Sequence, residues 1–230
     1  MLIYGHGTEA PDNRINSRES FLALQKLAVD GVELDVRLSQ DGELLVLHDH
    51  SFADGRRVAD TSSCERPSDI IFLREALDLC AGLIVNIEIK NYPSDPAFDP
   101  DEKIADRVVE LLKSRGSKDR VLISSFGIGC LDRITNADPE LETAHLVLSR
   151  RPASEVILAC VGHGHHIVHP YVSMVDAEFM TVARSHELTV NAWTGFDESE
   201  KELQALFNLG IDGVITGYPE RALRCRNHRS

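Results

Sequence analysis

The feature that most restricts the fold is a rhythm. Short apolar runs with strand character alternate with amphipathic runs at helical spacing along the chain. Strand runs are read at 2–5, 83–90, 121–125, 145–148, 166–169, 188–193 and 213–216. Helical runs are read at 17–27, 72–80, 101–113, around 131–134, and at 152–160, 176–186 and 198–209. Gly116 and Gly210 follow helices, and Pro152 suits a first helical turn. Strand and helix in alternation require parallel crossovers, so the chain reads as α/β. Two more strand runs lie in the stretch from Gly31 to Asp49, the second of them at 44–47, which makes nine. An eight-stranded barrel takes one fewer. The surplus is absorbed if 44–47 is the returning arm of a hairpin above the barrel. The expectation is a TIM-type (β/α)8 barrel, one domain over 1–230, with a β-hairpin at about residues 32–48 at its mouth.

Composition agrees and narrows the partners. A chain of 230 residues with 43% hydrophobic content supports one large core. The polar stretches 49–69 and 91–101 read as functional loops. Against 37 acidic residues stand 24 Lys and Arg, a net charge of −13. Nucleic acid and anionic membrane surfaces need clustered positive charge, so neither is expected as partner. No apolar run approaches the ~18 residues of a membrane span, and no signal peptide is read, so no membrane anchor is expected. Five cysteines without a CxxC pair fit reduced thiols and a cytoplasmic setting. The oligomeric state is left open.

The hairpin stretch also carries candidate chemistry. Glu33 and Asp35, two apart on an extended strand, leave the same face. Ser39-Gln40-Asp41-Gly42 signals a turn. With the reversal centred between Gln40 and Asp41, Glu33 faces His48. In the strand at 83–90, alternation puts Asn86, Glu88 and Lys90 on one face and Val85, Ile87 and Ile89 on the other. The C-terminal ends of barrel strands converge on one mouth, and His6, Glu33, Asp35, Glu88, Lys90, His169 and Trp193 all lie at or near such ends.

Three carboxylates packed at a barrel mouth disfavour joint ionisation unless a cation joins them. An all-oxygen donor set points to Mg²⁺ or Ca²⁺ rather than zinc. His6 and His48 are candidate proton carriers, and Lys90 adds a fixed positive charge. These parts suit the binding and cleavage of a phosphodiester.

The residues also resemble a known family. GVELDVRLSQDGELLVLHD at 31–49, NIEIK at 86–90, ISSF at 123–126, VNAWT at 190–194 and GIDGVIT at 210–216 are similar, in order, to the glycerophosphodiester phosphodiesterases. That resemblance implies a TIM-type barrel, a divalent cation, and hydrolysis of a small-molecule glycerophosphodiester to glycerol 3-phosphate and an alcohol. By position it implies metal carboxylates at Glu33, Asp35 and Glu88, acid/base histidines at His6 and His48, a substrate lysine at Lys90 and a mouth tryptophan at Trp193. His169 is a further candidate lining residue. Asp49 and His50 read as loop residues that orient His48.

One place departs from the family pattern, which opens with His-Arg-Gly and then Pro-Glu-Asn-Thr. This chain keeps His6, Asn16 and Ser17 but has Gly7 in place of the arginine and Arg14-Ile15 in place of Pro-Glu. A paired loss avoids leaving one charge alone in the site. Arg14 is the expected substitute cation. An unchanged kcat/KM for a phosphodiester in Arg14→Ala would sink that expectation. The departure keeps two alternatives in view: a phospholipase D-like relative with another diester substrate, and a non-catalytic phosphodiester-binding barrel. The histidines at 163, 165, 166 and 169 match no standard zinc spacing.

Overall fold

The computed structural model describes residues 1–8, 15–116, 120–149, 151–195 and 198–227. The strands are β1 (Leu2–Gly5), β2 (Gly31–Leu38), β3 (Leu44–Val46), β4 (Ile84–Ile89), β5 (Val121–Ser125), β6 (Glu142–Val147), β7 (Ile167–Pro170), β8 (Thr189–Trp193) and β9 (Gly213–Thr216). Between and after them run α1 (Arg18–Lys26), α2 (Leu73–Leu79), α3 (Lys103–Arg115), α4 (Ile128–Ala137), α5 (Ala153–Gly162), α6 (Ala177–Ser185), α7 (Glu200–Leu209) and α8 (Pro219–Asn227).

Alternation dictates how these elements pack. Val32, Leu34 and Val36 on β2, and Val85, Ile87 and Ile89 on β4, need apolar cover on one side of the sheet. They find it in a continuous core with Phe21 and Leu24 of α1, Leu73 of α2 and the Ile104, Val108 and Leu112 stripe of α3. Local signals start the helices where the sequence indicates. Ser17 accepts from the Ser20 N–H to cap α1, Asp176 caps α6, and Ser199 with Glu202 forms a reciprocal capping box on α7.

The sheet order is β1-β9-β8-β7-β6-β5-β4-β2-β3, and an additional β1–β2 pairing closes it. Eight parallel strands thus make the barrel, and β3 lies antiparallel on β2 alone, as the surplus-strand argument requires.

The hairpin register differs from expectation by one residue. Val36 pairs with Val46, Arg37 with Leu45 and Leu38 with Leu44, so Glu33 and His48 are not cross-strand partners. The reason is the turn. Ser39 N–H donates to Glu43 O at 2.9 Å, leaving a three-residue loop centred on Asp41, and Gly42 takes φ +80. A three-residue hairpin loop with glycine in the left-handed position shifts the centre from between two residues to one of them.

Two other readings change. Strand β6 begins at Glu142 and stops at Val147, because Leu148 leaves the sheet and is 63% exposed. Helix α8 was not anticipated: it buries only Pro219, Ala222 and Cys225, a stripe too thin to read as periodicity. All five cysteines are free, and among the described residues no helix is long and apolar enough to cross a membrane.

Candidate active site at the barrel mouth

The C-terminal ends of the strands surround a cavity of about 580 Å³. His6 reaches it from the end of β1, where its N–H donates to Thr216 O at 2.9 Å and pins the turn to β9. Strand register then sets the acids side by side, with Glu33 opposite Asn86 and Asp35 opposite Glu88. Lys90 follows directly after β4. His48, Tyr92, Phe126, Tyr171 and Trp193 complete much of the rim.

Asp35 is the hub. It is 1% exposed, accepts from Asn16 Nδ2 at 2.7 Å, and lies 2.9 Å from Lys90 Nζ and 3.6 Å from His6 Nε2. Lys90 Nζ also pairs with Glu88 Oε1 at 2.5 Å, and His6 Nδ1 pairs closely with Glu33 Oε2.

These contacts shift the groups in opposite senses. Burial alone would strip the proton from His6, but the Glu33 and Asp35 carboxylates raise it to about 9. Burial works against the Asp35 carboxylate too, yet Lys90 and His6 hold it below the usual range. Glu88 goes the other way: burial, with Asp35 and Glu33 nearby, pushes it up despite Lys90. Burial disfavours the Lys90 charge, but Asp35 and Glu88 keep its ammonium above its ordinary value.

Can this donor set hold a cation? Among the described residues Glu33 Oε1 is buried with no hydrogen-bond donor, and Asp35 Oδ1 and Glu88 Oε1 face Lys90 Nζ without forming aligned hydrogen bonds. Ligand atoms of His6, Glu33 and Asp35 lie within 4.8 Å of one another. Three carboxylates outnumber the two cations Lys90 and His6, so negative charge is left over for a divalent ion, which also answers the orphaned oxygen. Glu88, the third carboxylate expected, stands across Lys90 from that group.

Other expected residues fall as follows. His48 is on the rim, its side chain 55% exposed, with Nδ1 hydrogen-bonded to Asp49 Oδ1 at 2.8 Å. Asp49 thus orients it, whereas His50 turns to a separate cavity with Arg37 and Arg57. Trp193 lines the mouth, its Nε1 directed at Val147 O at 3.4 Å. His169 does not line it. That ring is fully buried, accepts from Asn191 Nδ2 at 3.1 Å, and burial pushes it down to about 3. Arg14 lies outside the described residues. Gly7 takes φ +139, a conformation side chains rarely adopt, which accounts for glycine there. His163 and His165 both pair with Asp132 of α4, away from the mouth.

Two positioning residues escaped the sequence reading. Asn16, at φ +62, grips Asp35 twice, its Oδ1 also accepting from the Asp35 N–H at 3.0 Å. Arg37 is 6% exposed and forks onto Asp95 at 3.1 and 2.8 Å, while its Nε donates to His48 O at 2.8 Å. Arg37 continues the i, i+2 alternation of Glu33 and Asp35, a signal that was present in the sequence.

Comparison with known proteins agrees with this geometry. The model of the glycerophosphoryl diester phosphodiesterase family matches residues 5–64 and 53–221. A glycerophosphodiester phosphodiesterase of Bacillus altitudinis is 27% identical over 225 residues, covering 86% of each chain. The structure of a phosphodiesterase of Oleispira antarctica, in complex with the product sn-glycerol-3-phosphate, superposes with a TM-score of 0.86 at 22% identity, over 99% of this chain and 97% of that one. A glycerophosphodiester phosphodiesterase of Thermotoga maritima superposes at 0.77, also at 22% identity, over 99% and 98%. With a family model spanning most of its length and the acids, lysine and histidines gathered at one barrel mouth, the chain belongs to the glycerophosphoryl diester phosphodiesterase family.

Proposed function

We propose that this protein hydrolyses glycerophosphodiesters to glycerol 3-phosphate and an alcohol. The observation that carries the reading is the gathering of His6, Glu33, Asp35, Glu88 and Lys90, from three neighbouring strands, on one cavity. Glu33, Asp35 and Glu88 hold the divalent cation, Mg²⁺ or Ca²⁺, which when bound supplies positive charge against the phosphate. Lys90 offsets charge on the same phosphate, and Trp193 walls the organic part. Arg14 is the proposed second cation for the phosphate. A water oxygen forms a bond to phosphorus while the bond to the alcohol oxygen breaks. His6 and His48 divide the work, one accepting the water proton and the other protonating the departing alkoxide. The free thiols suit a cytoplasmic setting.

The test is release of glycerol 3-phosphate from glycerophosphocholine and glycerophosphoethanolamine with Mg²⁺, Ca²⁺ or EDTA. Turnover is expected with at least one ion and is lost in EDTA. Absence of turnover of either diester by folded protein would favour a non-catalytic binder, the reading that the Gly7 departure motivates.

A further inference from the structure

The strand order divides the cavity into two halves of different chemistry. Among the described residues, every charged or imidazole side chain on its wall comes from the end of β1, the β2–β3 hairpin stretch or the end of β4. These strands are contiguous in the closed sheet. Among the described residues the facing arc, from β5 round to β9, contributes Phe126, Leu146, Leu148, Tyr171, Trp193 and Ile215, with Thr194 and Thr216 as polar neighbours and no charge.

The aromatic side chains of that arc pack on one another. Phe126 meets Trp193 edge-on at 5.9 Å and 86°, and Tyr171 lies 4.5 Å from Trp193. Leu148 stands at its outer lip and is 63% exposed, one of few large apolar side chains left open to water among the described residues. An exposed leucine continuous with an apolar cavity wall marks a place where apolar surface is to be covered.

Size points the same way. Glycerol phosphate has ~10 non-hydrogen atoms, and even at a water's ~30 Å³ for each it fills about half of the cavity. The cavity measures about 580 Å³. The rest is left to the group esterified to the phosphate, and Phe126, Leu146, Leu148 and Ile215 offer a polar head group set against them no hydrogen-bond partner. A quaternary ammonium could use ring faces, but Leu146, Leu148 and Ile215 offer it none.

We infer that the preferred substrate is an amphiphilic phosphodiester, one bearing an alkyl or acyl chain of about six carbons or more that lies along this arc and leaves over Leu148. The inference rests on the proposed hydrolase reading for its chemistry but not for its binding. Each methylene fully buried is worth about fourfold in affinity. A chain bound equally in ground and transition states lowers KM and leaves kcat alone.

Binding is tested first, by titrating the fluorescence of Trp193, the only tryptophan, with methylphosphocholine and hexylphosphocholine. At least tenfold tighter binding of the hexyl ester is expected. Leu148→Asp should cut that ratio to threefold or less. Kinetics then locate the chain. Hexanoyl lysophosphatidylethanolamine against glycerophosphoethanolamine places it on the glycerol side, and glycerophosphohexanol against glycerophosphoethanol places it on the alcohol side. A tenfold or larger fall in KM in either pair supports the inference. Affinities within threefold for the two phosphocholines overturn it, even if glycerophosphodiesters are turned over. Tight hexyl binding without turnover of any diester overturns the hydrolase reading and leaves this one standing.

Discussion

Asp35→Asn is expected to lower kcat/KM for a glycerophosphodiester by about a thousandfold while the barrel stays folded. The substitution keeps the shape of the side chain, so Asn16 Nδ2 still finds an acceptor where it now meets Asp35 Oδ2 at 2.7 Å. What goes is the charge. Lys90 Nζ loses the partner at 2.9 Å and is left to Glu88, which then draws the ammonium away from the phosphate position. His6 loses one of the two carboxylates that keep it protonated. Removing one preorganised electrostatic partner from such a site costs about 10²–10³ in rate, and here one residue serves three functional groups. A second readout separates this from misfolding. Bound cation stabilises the fold by about 2.7 kcal/mol at a hundred times its Kd, so Mg²⁺ or Ca²⁺ raises the Tm of the parent protein and should do so far less in Asp35→Asn. A kcat/KM within tenfold of the parent, with the cation-dependent Tm shift intact, would remove Asp35 from the proposed centre.

The barrel and its acids were legible for related reasons. Strand–helix alternation is a one-dimensional pattern that permits few topologies, and the odd ninth strand had a local explanation in the hairpin. Glu33 and Asp35 are two residues apart on a strand, and Glu88 and Lys90 repeat that spacing two strands later in sequence. Backbone geometry alone therefore puts each pair on one face, and parallel pairing of β2 with β4 aligns Asp35 with Glu88. What stayed hidden depends on loops. The one-residue register shift comes from a left-handed Gly42 that a two-residue turn reading does not foresee. Asn16 lies in the loop before α1, and its hold on Asp35 across 19 positions needs a positive φ at Asn16 itself. Leu148, Phe126 and Tyr171 reach the cavity from just beyond strand ends, where no periodicity indicates which way a side chain points. His169 was misleading in the opposite direction, since lying in the last turn of a strand does not guarantee reaching the mouth. On β7 it is fully buried against Asn191 and is not on the cavity wall.

Arg37 carries the other large effect, on stability. Arg37→Met is expected to destabilise the fold by about 3–5 kcal/mol, because it leaves Asp95, which is 6% exposed, without its partner. The fork onto Asp95 and the bond to His48 O disappear together, so kcat should fall as well through the loosened His48 segment. The double variant Arg37→Met/Asp95→Leu should recover most of the stability but not the kcat, since two apolar groups repack where one buried charge cannot. The pH dependence follows from the sign of the Asp95 shift. Burial pushes that carboxyl up, but the Arg37 guanidinium and the Ala97 N–H overcome it and hold the group below its ordinary range. A carboxylate with a depressed folded value contributes stability that is present above its unfolded pKa of ~3.9 and is lost as pH falls through the folded value. In Arg37→Met burial acts without the guanidinium, so Asp95 takes up a proton more readily in the fold than in the unfolded chain. The gap between parent and variant is therefore widest at pH 7 and narrows toward pH 4. Urea unfolding at both values measures it, and a gap below 1 kcal/mol at pH 7, or one that does not change with pH, would mean that the fork is not what anchors His48 to the β4–α3 loop.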